Sequence, residues 1–168
     1  MREQIAGPIF GVLGNHDTIR MVPGWRRWGF ACCSTRPKPS CAAIERIHLV
    51  GIDDAHYYRV DNIEKAVSQL PGDGFSILLS HTPEIYRQAA HADFDLMLSG
   101  HTHGGQICLP GAIPITLDAK LPRRMGSGLW KYITTWSGIP RSASGRASSP
   151  SHQLPAGNRP ASPALRCR

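Results

Sequence analysis

The sequence lacks any long hydrophobic run, which limits where the chain can reside. No apolar stretch among the 168 residues approaches the roughly 18 residues that a membrane-spanning helix requires. Residues 1–17 also lack the apolar segment and small-residue cleavage site of a secretory signal peptide. A chain of this length can bury a hydrophobic core of its own. We therefore expect one domain without a transmembrane segment, located in the cytoplasm.

The cysteines lack the spacing of a zinc-thiolate or redox site. Five are present, at Cys32, Cys33, Cys41, Cys108 and Cys167, and no two of them form a C-x-x-C pair. Their number is odd and no secretory signal accompanies them, so we expect reduced thiols.

Acidic residues are absent from the C-terminal part of the chain. All 12 lie within residues 1–118, together with 10 of the 19 basic residues. The other 9 basic residues stand within 119–168. A solvated, disordered tail explains this pattern, and a nucleic-acid-binding surface is the alternative. Apolar periodicity is also missing after the first part of this stretch, so we predict that residues 139–168 form a disordered or frame-disrupted tail.

Short apolar runs alternate with helical patterns in the rest of the chain. The runs predict strands at 8–13, 46–52, 75–79 and 94–98. Apolar residues at helical spacing predict helices at 62–70 and 83–90. Asp61 and Thr82 are the expected N-caps of these helices. Strands that alternate with helices indicate an α/β fold.

Polar residues follow each predicted strand at the point where it ends. They are Asn15, His16 and Asp17 after the first strand, Asp53 and Asp54 after the second, His81 after the third, and His101 and His103 after the fourth. Ligands of α/β proteins bind beyond the carboxyl ends of the strands, so we expect these side chains to share one edge of a sheet. Asp53 and Asp54 are interpreted first as turn formers or caps.

Three histidine-bearing motifs stand at these strand ends: GNHD at 14–17, SHTP at 80–83 and GHTHGGQ at 100–106. Neutral imidazole is the commonest protein ligand for metals, and asparagine offers a carbonyl oxygen. We expect His101 and His103 to point the same way, because side-chain direction repeats every second residue in an extended segment. A lone histidine after a strand is usually structural, but the three motifs together predict a metal site.

With the motifs GNHD, LLSHTPE (78–84) and LSGHTHGGQ (98–106), the chain resembles the calcineurin-like metallophosphoesterases. The resemblance covers roughly residues 8–118, and the motifs occur in the family's order. It implies a sandwich of two mixed β-sheets flanked by helices, an α/β architecture of the α+β sandwich type. That domain would be incomplete here and would span residues 1–138.

The resemblance also implies a site for two divalent ions, such as Mn, Fe or Zn. Asn15, His81 and His101 would bind one ion, and His103 would bind the other. The substrate would be a phosphoric ester: a phosphomonoester, a phosphodiester or a pyrophosphate. No specific nucleic-acid partner is expected.

His16 would not bind metal in this family. It would stabilise the transition state or protonate the leaving oxygen, and Asp17 would orient it. These two residues are therefore the catalytic residues that the resemblance implies.

Two motifs that the family carries upstream of GNHD, D-x-H and G-D-x-x-D, do not occur before Gly14. They supply most ligands of the ion that His103 would bind, together with the bridging carboxylate. The chain is therefore expected to be a fragment of the family site. Two alternatives to an active hydrolase remain: a catalytically impaired remnant that binds at most one metal, and nucleic-acid binding through the basic tail.

Residues 28–42 interrupt the strand pattern. They hold three of the five cysteines and two prolines where a strand is expected. We interpret them as a frame-disrupted segment, with a natural insert as the alternative, and expect them to lack stable packing.

Overall fold

The computed structural model describes residues 5–34, 38–41, 46–68, 70–71 and 74–133. Mixed sheets and short helices confirm the α/β class. The strands are β1 (Ile9–Gly11), β2 (Phe30–Cys32), β3 (Lys38–Cys41), β4 (Arg46–Gly51), β5 (Phe75–Ser80), β6 (Leu96–Ser99), β7 (Ile107–Leu109) and β8 (Ile113–Thr116). The α-helices are α1 (Val22–Arg27), α2 (Ile63–Ser68) and α3 (Tyr86–His91), and 3-10 turns occupy Ile19–Met21, Pro83–Ile85 and Arg123–Met125.

The main sheet has four strands in the order β3-β4-β5-β6. β4, β5 and β6 are parallel neighbours, and β3 pairs antiparallel with β4 at the edge. α2 lies between β4 and β5 along the chain, and α3 lies between β5 and β6, as crossover helices do in α/β folds. The carboxyl ends of the three parallel strands, and the residues that follow them, therefore share one edge of the sheet.

The hydrophobic core lies between this sheet and the two crossover helices. Its buried members come from β4 and β5, from the crossover helices and from the turns beside them: Val50, Ile52, Ala66, Leu78, Ile85 and Ala89. In β5 the burial alternates along the strand, as expected when one face of a sheet is packed and the other is more open. The core therefore holds the strand ends in place by packing.

The sequence predicts β1, β4, β5 and β6 within two residues at each end. It does not predict β2, β3, β7 and β8. β2 pairs parallel with β1, and the N–H of Cys33 donates to the carbonyl oxygen of Gly11 at 2.8 Å. Cys33 is only 1% exposed, and a Cβ on Gly51 would lie 2.4 Å from its Cβ. The expectation that residues 28–42 lack packing is therefore wrong for the described part of that segment. Backbone pairing with β1 and close approach to Gly51 order it despite its unusual composition.

The helix caps follow the prediction at one helix and depart from it at the other. Thr82 Oγ1 accepts from the N–H of Glu84 at 3.3 Å, which confirms Thr82 as a cap. At α2 the cap is Asn62, whose Oδ1 accepts from the N–H of Lys65 at 2.8 Å. Asp61 is therefore not the cap, because the helix begins one residue later than the apolar pattern suggests.

Three further expectations concern the C-terminal tail, membrane-spanning helices and the cysteine thiols. The predicted tail at 139–168 lies outside the described residues. Within the described residues, every helix is too short or too polar to cross a lipid bilayer. Cys32 and Cys33 are reduced, but Cys108 is disulfide-bonded, so the expectation of reduced thiols is wrong there. Sequence spacing does not report which sulfur atoms meet in space.

Candidate metal centre

Three polar side chains that are distant in sequence meet at one edge of the structure. Asn15 lies in the turn after β1, His81 follows β5 and His101 follows β6. The Nε2 atom of His81 lies 2.9 Å from Oδ1 of Asn15 and 3.1 Å from Nδ1 of His101. An amide oxygen and two imidazole nitrogens therefore converge beyond the carboxyl ends of the strands.

A backbone carbonyl decides which nitrogen of His101 carries the proton. Nε2 of His101 lies 2.6 Å from the carbonyl oxygen of Asp118, which can only accept a hydrogen bond. Nε2 therefore donates, and in the neutral ring the lone pair resides on Nδ1, the atom that faces His81. Metal-binding histidines are commonly oriented by a carbonyl in this way.

The three donor atoms fit a divalent metal ion. Ligand bonds of about 2.0–2.2 Å at angles of about 90° place neighbouring ligand atoms about 3 Å apart. Both contacts of His81 are close to that separation. The same two contacts also fit a hydrogen bond that a proton on Nε2 of His81 donates. Two imidazoles and an amide oxygen suit Mn, Fe or Zn without selecting one of them.

The loop that carries His101 is turned and not extended. His101 and His103 have φ values of 68° and 55°, in the left-handed region, and Gly105 follows with 105°. Left-handed residues other than glycine cost on the order of 1–3 kcal/mol each and cluster at functional sites. Thr102 is buried between the two histidines, and its hydroxyl donates to the carbonyl oxygen of Gly126 at 2.5 Å. The expectation of an extended segment is therefore wrong, because a tight turn sets the directions of both histidines.

The other predicted site residues lie at the rim of this group. His16 and His103 are exposed. Oδ2 of Asp17 accepts from the N–H of Gly14 at 2.8 Å, and the N–H of Asp17 donates to the carbonyl oxygen of Gly14 at 3.0 Å. Asp17 therefore closes the turn that presents Asn15, and among the described residues no hydrogen bond joins it to His16.

The surroundings of His81 favour its neutral form. Burial lowers the pKa of this imidazole below its ordinary value near 6.5, and the nearby His101 lowers it further. The carboxylates of Asp54 and Asp17 act in the opposite direction, and His103 adds a smaller lowering. A neutral imidazole keeps the lone pair that a metal ion requires.

Asp54 is a buried carboxylate close to His81, at the strand end where the sequence places it. It is 2% exposed, and its Oδ2 accepts from the N–H groups of Tyr57 and Tyr58, each at 2.7 Å. Its Oδ1 is buried and has no hydrogen-bond partner among the described residues. The interpretation as a turn former agrees with the Oδ2 bonds. Oδ1, the second oxygen of this carboxylate, therefore places negative charge in the protein interior near His81.

His56, Glu84 and Asp118 also adjoin the site, and of these three only Glu84 belongs to one of the quoted motifs. The rings of His56 and His101 lie 4.6 Å apart between centroids. Nδ1 of His56 lies 3.2 Å from Oε2 of Glu84, and its Nε2 lies 3.6 Å from Oδ1 of Asp118. Nothing in the spacing of these residues predicts their approach, because His56 and Asp118 come from different loops and Glu84 comes from the 3-10 turn Pro83–Ile85.

A cleft of about 410 Å³ opens beside the turn after β1. It is lined by Leu13, Gly14, Asp17, Thr18, Ile19, Asp53, Asp54, Tyr58 and Val60. The walls are largely apolar, and the charged groups among them are carboxylates. The cleft therefore has room for an organic group next to the candidate metal centre.

Comparison with known proteins gives several relatives for this chain, among them proteins of Bacillus subtilis and Helicobacter pylori. It is 44% identical over 105 residues to the uncharacterized protein YpbG of Bacillus subtilis, covering 60% of the chain and 40% of YpbG. It is 30% identical over 122 residues to the uncharacterized metallophosphoesterase YkoQ of the same organism, covering 68% of the chain and 44% of YkoQ. An uncharacterized metallophosphoesterase of Helicobacter pylori is 32% identical over 131 residues, which cover 75% of the chain and 34% of that relative.

The chain thus spans less than half the length of each of these relatives. No model of a known protein family matches the chain. No solved structure matches it either. Relatives named metallophosphoesterases share between 30% and 41% identity with it. These relatives support the calcineurin-like metallophosphoesterase family that the motifs of the chain indicate.

Proposed function

We propose that this chain carries a metal-dependent site for the hydrolysis of phosphoric esters, centred on Asn15, His81 and His101. The observation that carries the proposal is the convergence of three donor atoms at separations of 2.9 Å and 3.1 Å. The metallophosphoesterase relatives support phosphoester hydrolysis in a general sense.

Asn15, His81 and His101 would hold one divalent ion, and His103 would contribute to a second. A pair of such ions supplies Lewis-acid stabilisation of phosphoryl oxygens and acidifies water at neutral pH. All four residues are neutral as ligands, so they leave the positive charge of the site uncompensated. The centre would therefore attract an anionic phosphoryl group.

His16 is the candidate general acid. It is exposed in the turn between Asn15 and Asp17, and that turn is closed by the bonds between Asp17 and Gly14. Asp17 would thus act on His16 through the backbone of the turn. From this position the imidazole of His16 can deliver a proton to a leaving oxygen, a role that typically contributes about 10²–10⁴-fold in rate.

The cleft beside the turn would receive the organic part of the ester. Leu13, Ile19, Tyr58 and Val60 offer apolar contacts there. The carboxylates in the same cleft disfavour a second phosphate group by like-charge repulsion. The substrate would accordingly be a phosphomonoester or phosphodiester with a partly apolar substituent, in preference to a pyrophosphate.

Hydrolysis of bis(4-nitrophenyl) phosphate with added Mn²⁺ tests the proposal. We expect turnover that requires the metal, is lost in His81→Gln and falls by about 10²–10⁴-fold in His16→Ala. His91→Gln is the matched control, because His91 is an exposed histidine on α3 away from the cluster. Turnover that is unaffected by His81→Gln contradicts the proposal.

The same assay separates the active enzyme from an impaired remnant. Calorimetry with Mn²⁺ would be run on the same samples. Binding of one ion that depends on His81, without any turnover, identifies the impaired remnant. In that case the first ligand group still holds its ion, but the second ion, which would also bind the phosphate, is missing. Binding that His81→Gln leaves unchanged contradicts both versions of the site.

A further inference from the structure

A second group of metal-ligating side chains lies on the other side of the His101 ring. His56, His101 and Asp118 each offer one ligand atom, and these atoms all lie within 4.8 Å of one another. Nε2 of His56 lies 3.6 Å from Oδ1 of Asp118, and Nε2 of His101 lies 3.8 Å from Oδ2 of the same carboxylate. Both imidazoles therefore face one carboxylate, away from Asn15 and His81.

Glu84 orients His56 toward this group. Oε2 of Glu84 lies 3.2 Å from Nδ1 of His56, and a carboxylate can only accept, so Nδ1 donates. The other oxygen of Glu84 accepts from the N–H of Lys120 at 2.6 Å, which holds the carboxylate in place. A neutral His56 then directs the lone pair of Nε2 at Asp118. Two acceptor atoms that face each other across 3.6 Å leave a place for a cation.

The donor set matches zinc. Two imidazoles and one carboxylate, with a fourth position open to water, form a common zinc site, and a carboxylate behind one imidazole commonly supports it. Zinc bonds of about 2.0–2.2 Å in a tetrahedron place ligand atoms about 3.3 Å apart. The observed 3.6 Å and 3.8 Å need only a small movement of Asp118, whose side chain is 67% exposed.

We propose that His56, His101 and Asp118 form a second site for a zinc-like ion, in competition with the site of Asn15 and His81 described above. The competition follows from the His101 ring, because a neutral imidazole has one lone pair. Zinc in the second site needs that lone pair on Nε2, which moves the proton to Nδ1. His101 then gives up its bond to the Asp118 carbonyl oxygen and presents a donor to His81. The competition rests on the proposed function of the first site, but the second site does not.

Calorimetry with ZnCl₂ on the full chain carrying His81→Gln isolates the second site. We expect one zinc per chain, loss of that binding when Asp118→Asn or His56→Gln is added, and about 10–100-fold weaker binding with Glu84→Gln. Adding His91→Gln instead is the matched control and should leave zinc binding unchanged. Circular dichroism checks the fold, and Asn15→Ala replaces His81→Gln if that variant does not fold.

Preloading with MnCl₂ tests the competition. In the unsubstituted chain we expect saturating Mn²⁺ to weaken, by at least about tenfold, the part of the zinc binding that Asp118→Asn removes, whereas in His81→Gln Mn²⁺ should have no such effect. A folded His81→Gln chain that binds no zinc overturns the second site and shows that His56 bridges Glu84 and Asp118 as an imidazolium. Zinc binding without any effect of Mn²⁺ overturns the competition. Loss of phosphoesterase activity alone bears only on the first site.

Discussion

The imidazole of His81 and the amide of Asn15 face each other at 2.9 Å across 66 positions of the chain. β1 and β5, whose ends carry them, belong to different sheets. The contact therefore depends on how the turn after β1 is placed against the end of β5. Gly14 permits the approach, because a Cβ there would lie 2.7 Å from Nδ1 of His81.

Gly14→Ala should displace His81 without preventing folding. The added methyl group overlaps the imidazole ring, and overpacking of this kind typically costs about 1–3 kcal/mol. We expect Mn²⁺ affinity in calorimetry to fall by about tenfold or more, and the midpoint of thermal unfolding to fall as well. Gly24→Ala is the matched control: it meets nothing within 4 Å on α1, so it should stabilise the chain slightly and leave Mn²⁺ affinity unchanged.

Asp54→Ala and Asp54→Asn should differ in stability. Alanine leaves the N–H groups of Tyr57 and Tyr58 without their acceptor, at a cost of about 1–3 kcal/mol. Asparagine keeps an acceptor oxygen and removes the buried charge, so its free energy of unfolding should stay close to that of the unsubstituted chain. Urea unfolding of both variants measures the difference. Equal destabilisation by the two would show that the charge, and not the acceptor, stabilises this turn.

Stability should rise with pH around the titration of His81. Its pKa is lowered by folding, so below about pH 6.5 the unfolded chain binds more protons than the folded chain. The free energy of unfolding should therefore fall as the pH drops from about 6.5 toward the folded-state pKa, and this contribution should level off below it. Urea unfolding at a series of pH values, with a chelator present, measures the slope. His81→Gln should reduce the slope, and an unchanged slope in that variant would contradict the assignment.

Thr102→Val should loosen the loop that carries His101 and His103. Valine has nearly the same shape but cannot donate to the carbonyl oxygen of Gly126, so the loss should be about 1 kcal/mol. We expect a several-fold fall in Mn²⁺ affinity along with the loss of stability. Thr116→Val, on the exposed side of β8, is the matched control and should change neither quantity. Unchanged affinity in Thr102→Val would falsify the idea that this hydrogen bond positions the histidines.

Local patterns in the sequence were enough for β1, β4, β5 and β6 and for the residues that follow them. Apolar runs predicted β1, β4, β5 and β6, because each strand buries a short continuous stretch of side chains. They were not enough for β2, which is only three residues long and is ordered by pairing with β1. Strand pairing is a long-range interaction, so composition over residues 28–42 misled the interpretation.

The sequence by itself determined that Asn15, His81 and His101 would stand at strand ends, since each follows an apolar run directly. Only the tertiary structure decided that His56, Glu84 and Asp118 adjoin them. His56 and Asp118 lie in loops and Glu84 lies in a single 3-10 turn, and in such segments no periodicity reports the direction of a side chain. The left-handed turn at His101 likewise decides which ring nitrogen faces which neighbour, and that choice depends on a carbonyl oxygen 17 positions away.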